Sequence, residues 1–210
     1  MWLLLQLADS AFPAGGFPHS AGLEAAAQLG DVDVAAFAAD AVWGAAHAAL
    51  PLARAAHAAH ADGPAALARI DARAEAALLN HVLRRASRAQ GRAFLHACAA
   101  AFPETAALEP VLAHLAPAQG AVAAALGASV ADAETLVLHT TLRGVLSAAV
   151  RLGRIGPLEA QGVQRGLAGI LEAARAAGRR VGLDELAQSA PLQDVAAALH
   201  DRLYSRLFQS

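Results

Sequence analysis

Histidine and arginine carry most of the chemistry open to this sequence. Among nine histidines in 210 residues, His57 and His60 stand three apart, with His47 further up, so helical geometry sets the pair on one face. Two imidazoles at that spacing can hold a divalent ion weakly. No carboxylate follows at i+3 or i+4 on that face, and Asp62 falls just past it, so a solvated face is the plainer reading. His19 precedes a helix, where ligand, interface, capping and packing roles are all open. The arginines form two rows. Arg84, Arg88 and Arg92 recur every fourth residue with Arg85 beside them, and Arg143, Ser147 and Arg151 make a second row. Such rows can meet an acidic partner or stabilise phosphate charge in a partner's site, or simply face water.

Other chemistries are excluded by residue type. All 16 basic residues are Arg. Without Lys there is no phosphate-loop lysine, no Schiff-base lysine and no kinase lysine. Neither G-x-S-x-G nor H-E-x-x-H occurs. Cys98 is the single cysteine, so there is no internal disulfide or thiolate zinc cage; a small buried apolar role suits it. Asp9, Glu24, Asp31 and Asp33 lie close in sequence, but capping explains each. A net charge of −2 argues against a nucleic-acid binder.

The elements that must position these residues are helices. The chain holds 61 Ala against 4% aromatics, and Ala is the strongest intrinsic helix former while β-branched and aromatic residues favour sheet. We expect one all-α domain over 1–210, a single helical bundle of about ten helices. Met1 to Ala8 reads as a short apolar helix or arm, Asp9 to Pro18 as a loop, and Ser20 as the cap of a helix ending near Gly30; residues 1–30 form this N-terminal part. Asp31 or Asp33 caps a helix with Val34, Phe37, Ala41 and Gly44 on one face, kinked or split at Pro51 and ending at Asp62-Gly63-Pro64. Further helices are expected over 65–77, 78–101, two or three between 105 and 129 broken at Pro110, Pro117 and Gly127, then 131–151, 157–177, and from Pro191 to about His200. Residues 204–210 form a C-terminal tail. The uncharged run from Pro110 to Ala131 is interrupted by prolines and glycines and is not read as a membrane span. No basic segment precedes an apolar core at the start. A cytoplasmic protein is expected.

Two segments stand apart from this alanine-rich background. The loop DSAFPAGGFP, Asp9 to Pro18, places Phe12 and Phe17 beside paired glycines, and exposed aromatic loops are costly unless they dock. The tail holds Tyr204, Leu207 and Phe208 where chain ends usually fray. Both ends point to interaction rather than to chemistry.

These segments resemble a known family. Leu4 to Ala26, LLQLADSAFPAGGFPHSAGLEAA, is similar to the N-terminal signature of the urease accessory protein UreF family, although an aromatic that often follows the His-Ser pair is here Ala21. Leu83 to Leu95 and Ser147 to Gln161 resemble its central and third blocks, and YSRLFQS, Tyr204 to Ser210, its tail. The resemblance implies an all-α homodimer without catalytic activity, assembling with a UreD (also called UreH) accessory protein and the GTPase UreG to deliver nickel to apo-urease. Nickel and GTP would be handled by the complex, with no cofactor bound by this chain alone, and with neither nucleic acid nor membrane as partner. Carried onto this sequence, Gly15, Gly16, Phe17, His19, Ser20 and Glu24 would lie in the partner-facing part of the dimer. Tyr204, Ser205, Arg206, Leu207 and Phe208 would be ordered against the UreD-type partner, and Arg151 would lie near the GTPase face. The rival reading is a small all-α metal-dependent enzyme built on a His or carboxylate cluster.

Overall fold

Alanine and glycine on facing helices decide how closely this chain packs. The computed structural model describes residues 1–210 and contains eleven α-helices joined by short 3₁₀ turns, with no strand. They are α1 (Trp2–Ala8), α2 (Leu23–Leu29), α3 (Val34–His47), α4 (Ala49–Ala59), α5 (Pro64–Ala77), α6 (His81–Ala101), α7 (Leu115–Ala125), α8 (Val130–Arg151), α9 (Pro157–Gly166), α10 (Ala168–Gly178) and α11 (Pro191–Leu199). The all-α expectation is met.

Helices α4, α7 and α8 form the centre. A Cβ on Gly120 of α7 would stand 1.9 Å from the Ala53 carbonyl oxygen of α4, and one on Gly91 of α6 would stand 2.1 Å from the Ala113 oxygen. Only glycine permits these backbone approaches. Two apolar clusters lie either side of α8. One gathers Phe37, Val42 and Leu50 with Leu138, Leu142, Val145 and the tail's Phe208. The other gathers Leu7, Phe94, Leu95, Cys98, Val122 and Leu136. Glu134 of α8 is buried and accepts two hydrogen bonds from Arg179, at 2.9 and 2.7 Å. Arg54 approaches its other oxygen at 3.7 Å, tying α4, α8 and the end of α10 together.

Side-chain caps set several boundaries. Asp33, rather than Asp31, accepts from the Ala35 and Ala36 amides at the start of α3. Asn80 caps α6, which begins at His81, three residues later than the expected start at 78. Ser129 and Asp132 exchange hydrogen bonds as a capping box on α8. Pro51 does split its helix, but the break falls upstream at Ala48, with φ −127° and ψ −57°. A proline ring clashes with the carbonyl four residues earlier, here His47, and that oxygen accepts from the Ala187 amide instead.

Other expectations are corrected. Pro117 sits in the first turn of α7 and breaks nothing, because a missing amide there is no loss. The helix expected over 157–177 is two, turning at Leu167, and that turn carries Leu167 into the core. Ala41 and Gly44 border a cavity while Val34, Phe37, Ala38, Val42, Ala45 and Ala46 make the buried face of α3. Ser20 is not the N-cap residue, since α2 begins at Leu23 after Gly22 at φ 87°, but its Oγ accepts the first-turn Glu24 amide at 3.4 Å. The run from Val34 to Asp62 is long and apolar enough by composition to cross a membrane; here its apolar residues are core residues of α3 and α4.

Candidate functional site

The N-terminal loop and the C-terminal tail, read separately in the sequence, are one site. The loop is held by its first glycine. Gly15 has φ +68°, and a Cβ there would stand 2.7 Å from the Ala93 Cβ of α6, so conformation and space both demand glycine. Gly16 meets no such crowding. Phe12 turns inward, edge to face with Phe94 at 6.0 Å between centroids. Phe17 turns outward and is largely exposed. Ala21 at φ 54° and Gly22 at φ 87° then make two successive left-handed residues that bend the chain into α2. Their bend aims Ser20 and Glu24 at the tail.

The tail lies in the groove so formed. Glu24 is buried, and its carboxylate oxygens accept from the Leu207 amide at 2.5 Å and the Phe208 amide at 3.1 Å. The second oxygen also meets His200 Nε2 at 3.1 Å. The Gln209 amide donates to the Pro18 carbonyl at 2.7 Å, and the Ser20 amide to the Ser210 carbonyl at 2.6 Å. Ser20 Oγ donates to that same carbonyl at 2.8 Å. Gln28 donates to the Ser205 carbonyl at 3.0 Å. His19 Nδ1 and Ser210 Oγ share a hydrogen bond of 2.6 Å. Burial first, then Arg85 and His200, push the His19 pKa down to about 4, so its ring is neutral at pH 7.

Arg151 joins loop to tail. Its guanidinium lies 3.6 Å from the Phe17 ring centroid and 4.3 Å from that of Phe208, and its NH1 donates to the Phe17 carbonyl. Asp201, at the root of the tail, accepts from Arg85 at 2.7 and 3.0 Å. Arg206 stands 3.5 Å from the same carboxylate. The Arg85 contact, with His81 adding less, holds the Asp201 carboxyl below the usual carboxylate range.

The expected site residues therefore fall into two groups. Ser20, Glu24 and Phe208 are buried and spend their contacts inside the chain, whereas Phe17, Tyr204, Arg206 and Leu207 face outward. Arg151, expected near a GTPase face, has its guanidinium committed to Phe17 and Phe208. His200, Gln28, Arg85 and Asp201 belong to the site and were not anticipated. Their partners lie more than 110 residues away along the chain, beyond the reach of any local pattern.

The rival metal cluster does not assemble. No three His, Cys, Asp or Glu side chains gather to hold an ion. His47 Nδ1 is engaged with the Trp43 carbonyl at 2.9 Å and His57 Nε2 with the Ala128 carbonyl at 2.9 Å; each ring keeps one nitrogen free, but no third ligand joins them. The Arg84–Arg88 row turns out to flank Glu75, at 3.5 and 3.6 Å. Glu75 in turn meets His114 Nε2 at 2.8 Å, and His114 Nδ1 meets Ser87 Oγ at 3.1 Å. This serine–histidine–carboxylate order acts as a brace: Ser87 Oγ also accepts the Leu115 amide at 3.3 Å, and two arginines share the carboxylate. Behind the loop, a cavity of about 770 Å³ is bordered by α3, α4, α6, α7 and α8, with Gln119, Thr140, Ser147, Arg143 and Asp194 among its polar lining. The lining is mostly apolar, with scattered hydrogen-bonding groups and few charges.

The chain is similar in sequence to known proteins. A family model described as UreF covers residues 30–168. The chain is 34% identical to Urease accessory protein F of Arabidopsis thaliana over 223 residues, spanning 100% of this chain and 92% of that protein. It is 33% identical to Urease accessory protein F of Oryza sativa subsp. indica over 222 residues, spanning 99% of this chain and 84% of that protein. Urease accessory protein UreF of Mesorhizobium japonicum is 34% identical over 233 residues, with 99% of this chain and 95% of that protein aligned. The full-length similarities take in both the loop and the tail, which the family model does not reach.

Proposed function

The chain belongs to the UreF family of urease accessory proteins, and from that premise we propose that it is a non-catalytic scaffold of urease maturation. It bridges a UreD-type (UreH-type) accessory protein and a UreG-type GTPase, as a homodimer in the cytoplasm, and couples GTP hydrolysis to nickel insertion into apo-urease. Nickel is cargo here and GTP is the partner's nucleotide; both are handled by the complex. The observation that supports this reading best is the joined loop and tail. Their anchors, Phe12 and Phe208, are turned inward, while Phe17 of the loop and Tyr204 and Leu207 of the tail are exposed, and Arg151 contacts both Phe17 and Phe208. Large exposed side chains on a rigidly held backbone are the composition of a protein-binding surface. Preorganisation of that backbone lowers the ordering cost of association.

The test is co-expression with the UreD-type and UreG-type proteins of the same organism, co-purification, and light scattering on the eluted peak. A stable complex with two copies of each protein is expected. A well-folded chain that stays apart from both partners would overturn the scaffold reading. Metal analysis of the isolated chain separates the remaining alternative, since an enzyme of the metal class would hold stoichiometric metal by itself.

A further inference from the structure

One carboxylate grips the tail at two places. His200, fully buried, begins the 3₁₀ turn that leads out of α11, and it meets Glu24 Oε2 at 3.1 Å. The Leu207 and Phe208 amides meet the two oxygens of the same group. Residues 201–206 between these grips turn outward, with Tyr204 fully exposed at the apex. Gln28 holds the middle through the Ser205 carbonyl. A carboxylate offers about four lone-pair sites and accepts several donors at once, and hydrogen bonds to a charged acceptor are about twice as strong as neutral ones. A glutamine has a single acceptor oxygen, and its NH₂ would face an N–H donor.

We infer that Glu24 is the positioning residue that shapes the outward face of the tail. By closing residues 200–208 into a fixed loop, it presents Tyr204, Arg206 and Leu207 in one geometry. This inference rests on the proposed scaffold reading, in which that face meets the UreD-type partner. The apparent affinity for the partner then scales with the fraction of molecules whose tail is docked. Glu24 itself is buried and acts through the tail it holds.

The experiment uses the full-length chain in three forms: unaltered, Glu24→Gln and Phe208→Ala. Amide hydrogen exchange is followed at residues 205–210 without partner, and binding of the purified UreD-type protein is titrated separately. In Glu24→Gln, exchange at Leu207 and Phe208 should quicken at least tenfold, helical circular dichroism should be retained, and partner affinity should fall by the factor by which the docked fraction falls. Phe208→Ala should do the same by a route that leaves the Glu24–His200 contact alone. Unchanged tail exchange in Glu24→Gln overturns the inference, whatever the partner does. A tail that exchanges as fast as an open chain while affinity stays unchanged overturns the coupling of tail to partner. Should Glu24→Gln not fold, Phe208→Ala decides: a released tail that still binds the partner with unaltered affinity refutes the inference. If the unaltered chain binds no partner, the scaffold reading fails, and the exchange data still stand as the separate test of the grip.

Discussion

Replacing Arg151 tests whether loop and tail depend on one another. Its guanidinium contacts two rings, Phe17 at 3.6 Å and Phe208 at 4.3 Å, and donates to the Phe17 carbonyl. Cation–π contacts are worth about 0.5–1 kcal/mol at exposed sites and ~2 kcal/mol when desolvated; Phe17 is the exposed ring and Phe208 the buried one. A hydrogen bond from a charged donor adds about 1.5–3 kcal/mol. Because the three contacts share one group they do not add fully, and about 2–4 kcal/mol is expected for Arg151→Ala. At about 1.4 kcal/mol per factor of ten, that is roughly a 30- to 1,000-fold rise in amide exchange at 207–210. Arg151→Lys keeps the charge but loses the planar group that lies against both rings, so it should recover less than half. Moderate salt should change little, since a stacked guanidinium is screened less than the exposed Arg85–Asp201 pair. Tail exchange unchanged in Arg151→Ala, or fully restored by Lys, would refute the account of Arg151 as a planar clamp.

Four further outcomes are expected. Gly120→Ala should cost about 2 kcal/mol net, because overpacking at the upper end of about 1–3 kcal/mol, set by a backbone gap of 1.9 Å, outweighs the helix-propensity gain of about 1 kcal/mol. Exposed Gly162 meets no atom within 4 Å, so Gly162→Ala should stabilise by about 0.4–1 kcal/mol, and thermal unfolding reads both signs. The folded-state pKa of His19, about 4 against an ordinary 6.5, means that the unfolded chain binds more protons between those values. Stability is therefore unaffected above about pH 6.5 and falls as pH drops toward 4. His139, depressed by burial and then by Arg143, acts in the same sense; urea titrations across this window should show a flatter acid limb for His19→Gln. Burial pushes the Cys98 thiol up to about 12, so iodoacetamide at pH 8 should modify it only in denaturant.

Much of this molecule was legible from its residues. Alanine content and helix punctuation determine an all-α chain, because propensity and capping act within a few residues. Asp33, one of the two caps expected there, and Gly63-Pro64 mark ends that the structure keeps. The loop around Gly15 and the apolar tail stood out as segments that needed something to dock on. What they dock on was not legible. Glu24 reads as a first-turn acid suited to a helix dipole, and Arg151 as one member of a surface row. Their actual partners lie in the tail, 183 residues from Glu24 in the case of Leu207, and beside Phe17, 134 residues from Arg151. Nor does any local pattern show that Gly120 must touch Ala53. Local sequence determines where each helix begins and ends. Only the packed chain decides which distant groups share one buried carboxylate or one guanidinium, because those pairings depend on helix axes meeting at distances that no local spacing encodes.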